Sequence, residues 1–320
     1  MKRSKLGLVV AMSFGAMTCA QAKYPEKPVS IIVPFPAGQT GDLIARTVGE
    51  KLSKALGQAF IVENRGGAGG TIGTGYAARA KHDGYTLLLT STGPFSIAPY
   101  LYKNLSYDPL VDLQPIAEIA TSPQVLAVNP DMGINTLKDL VAKAKQGDLN
   151  FASAGTGSTQ HLTMAYFLGA AGAHMTHVPF KGSSEAQPQV ISGLISSLSD
   201  TLPAILPQIK GGKLKALAVV DSERSEFLPD IPSTDEAGFP GLNTVAFFAL
   251  MAPKGTPAEV IDLLNTQVNK TLKDPATLNQ FKNLALTPAK EKTASQFTSY
   301  LQNEASKWQK ITSTAQVEKK

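Results

Sequence analysis

Twice in this chain a buried-strand pattern runs into a glycine-bearing loop and then into a helix, and that repetition restricts the fold more than any other feature. Val29-Ser30-Ile31-Ile32-Val33 is a continuous β-branched apolar run, which suits a strand covered on both faces. Gly38 and Gly41 follow it. Ile44, Val48, Leu52, Ala55 and Leu56 then recur at helical spacing up to Gly57, a helix stop. Phe60-Ile61-Val62 predicts a second strand, the glycine-rich stretch 66–70 a loop, and a small-residue helix extends to Ala80. Thr86-Leu87-Leu88-Leu89-Thr90 predicts a third strand after a turn at Asp83-Gly84. The pattern restarts with a strand at Val125-Leu126-Ala127-Val128, a helix from Leu137 to Lys145 and a strand at Asn150-Phe151-Ala152-Ser153. A loop at Gly155-Thr156-Gly157-Ser158-Thr159 leads into a helix reaching Leu168. Further strands fall at 177–180, 214–220 and 245–251, and further helices at 257–272 and 294–311. Strands alternating with helices predict a mostly parallel sheet with right-handed crossovers.

Open α/β sheets bind ligands beyond the carboxyl ends of their strands. Two such sheets facing each other across a cleft present two helix N-termini to one ligand. A helix N-terminus offers free backbone N–H groups and a positive dipole end, and glycines let backbone approach a carboxylate closely. The loops 35–42 and 153–159 have this make-up. They serve equally well as tight strand-to-helix turns, which every α/β protein contains.

The N-terminus adds a compartment. Lys2, Arg3 and Lys5 precede an apolar run from Leu6 to Met17, and Ala20-Gln21-Ala22 places small residues at −3 and −1, so residues 1–22 read as a cleavable signal peptide. The run is too short to span a bilayer. Lipidation at Cys19 is the competing reading, disfavoured by Met17-Thr18 before it. Cleavage after Ala22 removes the one cysteine, so the mature chain relies on a large apolar core, which its length supplies as two domains. Three of the five net positive charges leave with the signal peptide (5 − 3 = +2). The remaining Lys and Arg are scattered among Asp and Glu, so no basic stripe for nucleic acid is present.

Enzyme motifs are weak. There is no G-x-S-x-G elbow and no phosphate-binding G-x-x-x-x-G-K-[ST] loop. Gly73-Thr74-Gly75-Tyr76-Ala77-Ala78 fits G-x-G-x-x-A but lies inside a helical segment well past its strand. His174 and His177 lack a third ligand at metal spacing, and His82 and His161 are distant in sequence. His161 reads as a packed or capping residue or as part of the cleft wall. No cofactor is expected.

Pro34-Phe35-Pro36-Ala37-Gly38 with Asp42 resembles the P-F-x-x-G-G-x-x-D opening of Bug-type receptors, the extracytoplasmic solute-binding proteins of tripartite tricarboxylate transporters. Val62-Glu63-Asn64-Arg65-Gly66-Gly67-Ala68-Gly69-Gly70 is similar to their V-x-N-R-x-G-A-G-G segment. Asp83-Gly84-Tyr85-Thr86-Leu87, Val178-Pro179-Phe180-Lys181-Gly182, Pro229-Asp230-Ile231-Pro232, Glu236-Ala237-Gly238 and Ala252-Pro253-Lys254-Gly255-Thr256-Pro257 follow in the family's order. The resemblance runs from Tyr24 to the C-terminus.

It implies an α/β, type II periplasmic-binding-protein fold: two hinge-linked lobes with the ligand cleft between them. The expected boundaries are 23–123 and 243–320 for lobe 1 and 124–242 for lobe 2. The implied ligand-binding residues are Phe35, Pro36, Ala37, Gly38, Gln39, Thr40 and Asp42 in the first loop and Ser91 and Thr92 after the third strand. In the second half they are Ser153, Thr156, Gly157, Ser158, Thr159, Lys181, Gly182 and Asp200. Asp42 also reads as a brace for its loop, and one of the hydroxyls at 153–159 as a helix cap. Asp200 reads either as a partner for a ligand amine or hydroxyl or as an exposed loop acid. Asn64 and Arg65 read as locks on the glycine loop. Two departures stand out: Gln39 replaces the family's second glycine, and Lys181-Gly182-Ser183-Ser184-Glu185 and Ser196-Ser197-Leu198-Ser199-Asp200 are more polar than usual. The implied function is a monomeric periplasmic receptor delivering a small organic carboxylate to integral-membrane transporter subunits. The ligand class is open among di- and tricarboxylates, amino acids and aromatic acids. A sensor subunit presenting a carboxylate to a membrane signalling partner is the alternative, and a secreted hydrolytic enzyme a third reading.

Overall fold

The computed structural model describes residues 24–147, 149–315, 317 and 319, so the expected signal peptide at 1–22 and Cys19 lie outside the described residues. In chain order the elements are β1 (Val29–Val33), α1 (Thr40–Leu56), β2 (Phe60–Asn64), α2 (Thr71–Ala78) and β3 (Thr86–Ser91). Two short turns, α3 (Ala98–Leu101) and α4 (Pro109–Asp112), precede β4 (Leu113–Ser122) and β5 (Gln124–Val128). Then come α5 (Leu137–Gln146), β6 (Asn150–Ser153), α6 (Thr159–Ala171), β7 (Thr176–Pro179), α7 (Ser183–Ile191), β8 (Ser197–Thr201), α8 (Leu202–Lys210) and β9 (Lys215–Val220). The chain finishes with β10 (Ala246–Pro253), α9 (Ala258–Lys273), α10 (Pro275–Asn283), β11 (Thr287–Pro288) and α11 (Ala294–Thr314).

These strands form two sheets, hence two lobes: six strands in the order β11-β4-β10-β3-β1-β2 and five in the order β7-β6-β8-β5-β9. Both are covered on two faces, as the continuous apolar runs require. Val29, Ile31 and Val33 share one core with Ile44, Val48 and Leu52 of α1, whereas Ile32 belongs to the core with Ala77, Phe247 and Phe297 on the other face. In the second lobe Val125 and Ala127 face one core, and Leu126 and Val128 the other. Helix α1 ends where glycine allows it, at Gly57 with φ 74°.

The sheets are mixed rather than mostly parallel. β1 runs parallel to β2 and β3, and β6 parallel to β7 and β8. β10, however, is antiparallel to β3 and β4, and β5 antiparallel to β8 and β9. The chain crosses from the first sheet to the second at Pro123, between β4 and β5, and returns between β9 and β10. A strand that enters a lobe from the cleft side runs opposite to strands whose carboxyl ends point at the cleft. β5 and β10 are those entry strands.

One helix reaches both lobes. Trp308 of α11 is fully buried in a cluster with Ile97 and Leu101 of the first lobe and Leu162 of α6 in the second. Burying each such aliphatic side chain is worth about 1.5–3 kcal/mol.

Candidate functional site

Between the carboxyl ends of the two sheets lies a narrow cavity, nearly filled by its own wall side chains, with about 20 Å³ of free volume. Its wall is built largely from helix starts. Gln39, Thr40 and Gly41 come from α1, Thr159 and Gln160 from α6, Ser183 from α7 and Thr201 from the head of α8. Phe35, Ser91, Ala246 and Phe248 complete it, and none of these described residues is charged. The N-cap positions of α1, α7 and α8 are Gln39, Gly182 and Thr201, and none accepts a side-chain capping bond. Only α6 is capped, Ser158 Oγ accepting the N–H of His161 at 3.2 Å. Four positive dipole ends therefore meet at one neutral cavity; α1 and α7 keep first-turn N–H groups uncapped by a side chain, whereas at α8 Leu202 N donates to the Pro123 carbonyl and Pro203 has no N–H. Such a wall suits a carboxylate without a counter-cation.

The first loop is braced from behind. Asp42 Oδ2 accepts from Gly38 N at 2.9 Å and Arg46 Nε at 3.0 Å, and Oδ1 accepts from Asn64 Nδ2 at 3.0 Å. Asn64 Nδ2 also donates to the Phe35 carbonyl at 3.1 Å. Burial pushes the Asp42 carboxyl up, but the hydrogen bonds from Arg46, Gly38 and Asn64 and the Arg46 charge outweigh it and hold the group below its ordinary value.

Asp200 lies one layer behind the opposite wall, at the end of β8. It is a buried strand residue and not an exposed loop acid, because β8 is buried along its whole length. Oδ1 accepts from Ser183 Oγ at 2.7 Å, Thr201 N at 2.8 Å and Gln160 Nε2 at 3.2 Å, and Oδ2 from Gln187 Nε2 at 2.8 Å. Burial raises its pKa in spite of these donors.

Side chains join the lobes across the cavity. Gln39 Nε2 donates to Ser183 Oγ at 2.9 Å, and Thr40 Oγ1 lies 2.8 Å from Thr201 Oγ1. Tyr102 OH donates to the Thr156 carbonyl at 2.8 Å. The glycine loop after β2 belongs to the same contact. Gly69 has φ +63°, and a Cβ there would stand 2.2 Å from the Thr156 carbonyl, so only glycine lets the two loops approach this closely.

Of the residues singled out from sequence, Phe35, Gln39, Thr40, Ser91 and Thr159 line the cavity directly. Pro36 and Gly182 stand close across the lobes, where a Cβ on Gly182 would fall 2.9 Å from Pro36 Cδ. Ala37 and Gly38 are exposed at the loop tip, and Lys181 is exposed, its N–H bound to Glu185 at 3.2 Å. Thr92 is buried and accepts from Phe247 N at 2.9 Å. Ser153 ends β6, and Thr156, Gly157 and Ser158 lie in the loop ahead of α6. Ser153 Oγ lies 2.6 Å from His177 Nε2, and Gly157 N donates to His161 Nδ1 at 3.3 Å. The rings of His161 and His177 stack at 3.9 Å despite their separation in sequence. Among the described residues no group of three His, Cys, Asp or Glu is placed to hold a metal. Gln160, Ser183, Thr201 and Phe248 are wall residues that sequence reasoning missed as such. For Ser183 a signal existed, its departure from the family's glycine.

Two α/β lobes closing over a neutral, helix-headed cavity define a solute-binding protein of the periplasmic type. Residues 44–317 match the family described as TctC, tripartite tricarboxylate transporter family receptor, and the chain belongs to that family, whose members are solute-binding receptors and not enzymes. It is similar to Protein BugT of Bordetella pertussis, 36% identical over 306 residues, covering 95% of this chain and 94% of that protein. Among solved structures, R. palustris Rpa4515 with adipate is 32% identical with a TM-score of 0.88, over 92% of this chain and 99% of that one. MatC (Rpa3494) from Rhodopseudomonas palustris with bound malate is 29% identical with a TM-score of 0.87, over 90% and 99%.

Proposed function

We propose that this receptor captures a small organic carboxylate in the cavity between its lobes and hands it to a tripartite tricarboxylate-type membrane transporter. The observation that carries the reading is the convergence of four helix N-termini, three of them without a side-chain cap, on a cavity with no charged wall residue. Adipate and malate in the two Rhodopseudomonas relatives support the same ligand class. The ligand contacts are assigned to Gln39, Thr40, Ser91, Thr159 and their neighbouring backbone N–H groups, with Asp42 bracing the loop. Charge-assisted N–H bonds contribute about 1.5–3 kcal/mol each, and micromolar affinity needs about 8 kcal/mol, so a few bonds and lobe closure suffice. The protein works outside the cytoplasmic membrane, exported by residues 1–22, with lobe boundaries at 123/124 and 242/243.

A carboxylate panel screened by thermal shift identifies the ligand, since a solute at 100 times its Kd adds about 2.7 kcal/mol of stability. Calorimetry then compares that acid with its amide. The amide is expected to bind about 2–4 kcal/mol more weakly. Equal affinity would remove the carboxylate clamp.

A further inference from the structure

The orientation of one hydroxyl sets the chemistry of one end of the cavity. Gln187 Nε2 donates both to Asp200 Oδ2 and, at 3.0 Å, to the Ala204 carbonyl. A carbonyl can only accept, so the nitrogen of that amide is identified and Asp200 is on the accepting side. The backbone N–H of Thr201, which can only donate, also ends on Asp200. Asp200 Oδ1, which already receives the N–H donors of Thr201 and Gln160, is also the acceptor for the single proton of Ser183 Oγ at 2.7 Å. Ser183 then has only lone pairs to offer across the cleft, and it receives Gln39 Nε2 at 2.9 Å. Gln160 likewise turns its nitrogen to Asp200. Gln39 and Gln160 both line the cavity, and in each the amide oxygen is the atom not committed to the Asp200 cluster.

We infer that Gln39 and Ser183 form the specificity wall of the cavity, which accepts a short carboxylate bearing a hydrogen-bond donor, a hydroxyl or an ammonium, rather than a longer dicarboxylate. This rests on the carboxylate reading above. The glutamine side chain fills space that a glycine would leave to the solute and ties it to the opposite lobe, which caps ligand length. The amide oxygens of Gln39 and Gln160 are acceptors. A ligand that places a hydroxyl or ammonium against them is favoured, and one that places a methylene or a second carboxylate there leaves them unpaired or repelled.

Succinate, L-malate, L-aspartate and adipate are the probes, measured by calorimetry on wild type, Gln39→Gly, Gln39→Asn and Ser183→Ala. Malate and succinate differ by one hydroxyl, so their affinity ratio reads the wall and cancels any general loss of folded protein. Wild type is expected to bind malate or aspartate at least about tenfold tighter than succinate, with adipate weakest. The ratio is expected to fall below about threefold in all three variants. Gln39→Gly alone is expected to gain adipate, by about tenfold or more. Gln39→Asn is one methylene too short to span to Ser183, so it keeps the amide while losing the bond. A ranking that Gln39→Gly leaves unchanged, or a wild type that prefers succinate or adipate, overturns the wall alone. A wild type that binds none of the four acids overturns the carboxylate reading, and the wall falls with it.

Discussion

Thr40 Oγ1, at the first position of α1, lies 2.8 Å from Thr201 Oγ1, at the head of α8, so the two lobes share a buried hydroxyl pair beside the cavity. The bond exists only while the lobes are together. Thr40→Val keeps the shape and removes one hydroxyl, at a cost of about 1 kcal/mol to the closed form, about fivefold in Kd. Calorimetry with the best ligand checks this. An unchanged Kd would exclude the pair from closure.

Gly38 has φ +82°, and a Cβ there would meet no atom within 4 Å. The cost of a side chain is therefore conformational, about 1–2 kcal/mol for the left-handed region. Gly38→Val is expected to fold, to melt about 1.5–3 °C lower, and to bind its carboxylate markedly more weakly because the loop at the head of α1 shifts. Wild-type affinity in this variant would place the ligand elsewhere.

Asp42 and Asp200 pull the pH profile in opposite directions. The lowered pKa of Asp42 means its stabilisation is complete above the ordinary value of 3.8 and is lost as pH falls through the folded value. The raised pKa of Asp200 means its burial becomes destabilising as pH rises from 3.8 through the folded value. Denaturant melts across the acid range are expected to show a shallower acid-side loss in Asp42→Asn, from a lower plateau. In Asp200→Asn the decline above pH 3.8 should disappear. Parallel profiles for all three proteins would refute both assignments.

Export makes a covalent prediction. Mass spectrometry of periplasmic protein is expected to find Lys23 first and no lipid, and a diacylglyceryl mass on Cys19 would reverse the assignment.

Where local periodicity and long-range packing agree, sequence and structure agree. β1, α1 and the stop at Gly57 follow from spacing alone, and the brace role of Asp42 follows from its place in a first helical turn. β8 was hidden because Ser197-Leu198-Ser199-Asp200-Thr201 is polar, and its partners come from far away: Ser199 Oγ donates to Gln124 Oε1 at 3.3 Å. α7 and α8 carry Pro188 and Pro207 inside them, which argues against a helix on local grounds. His161 and His177 meet because β7 pairs with β6, a register no local pattern encodes. The cavity wall was half legible. The loops after strands announced themselves through glycine, whereas Gln160 and Thr201 acquire a role only when four helices converge.

Trp308 is the chain's single tryptophan, and it sits where α11 meets both lobes, against Leu162 on one side and Ile97 and Leu101 on the other. Any motion that parts the lobes draws α6 away from its indole and admits water to a ring that is otherwise dry. The molecule is thus expected to carry its own optical gauge, its emission shifting to the red as the cleft opens and back to the blue as a solute closes it, with no added dye.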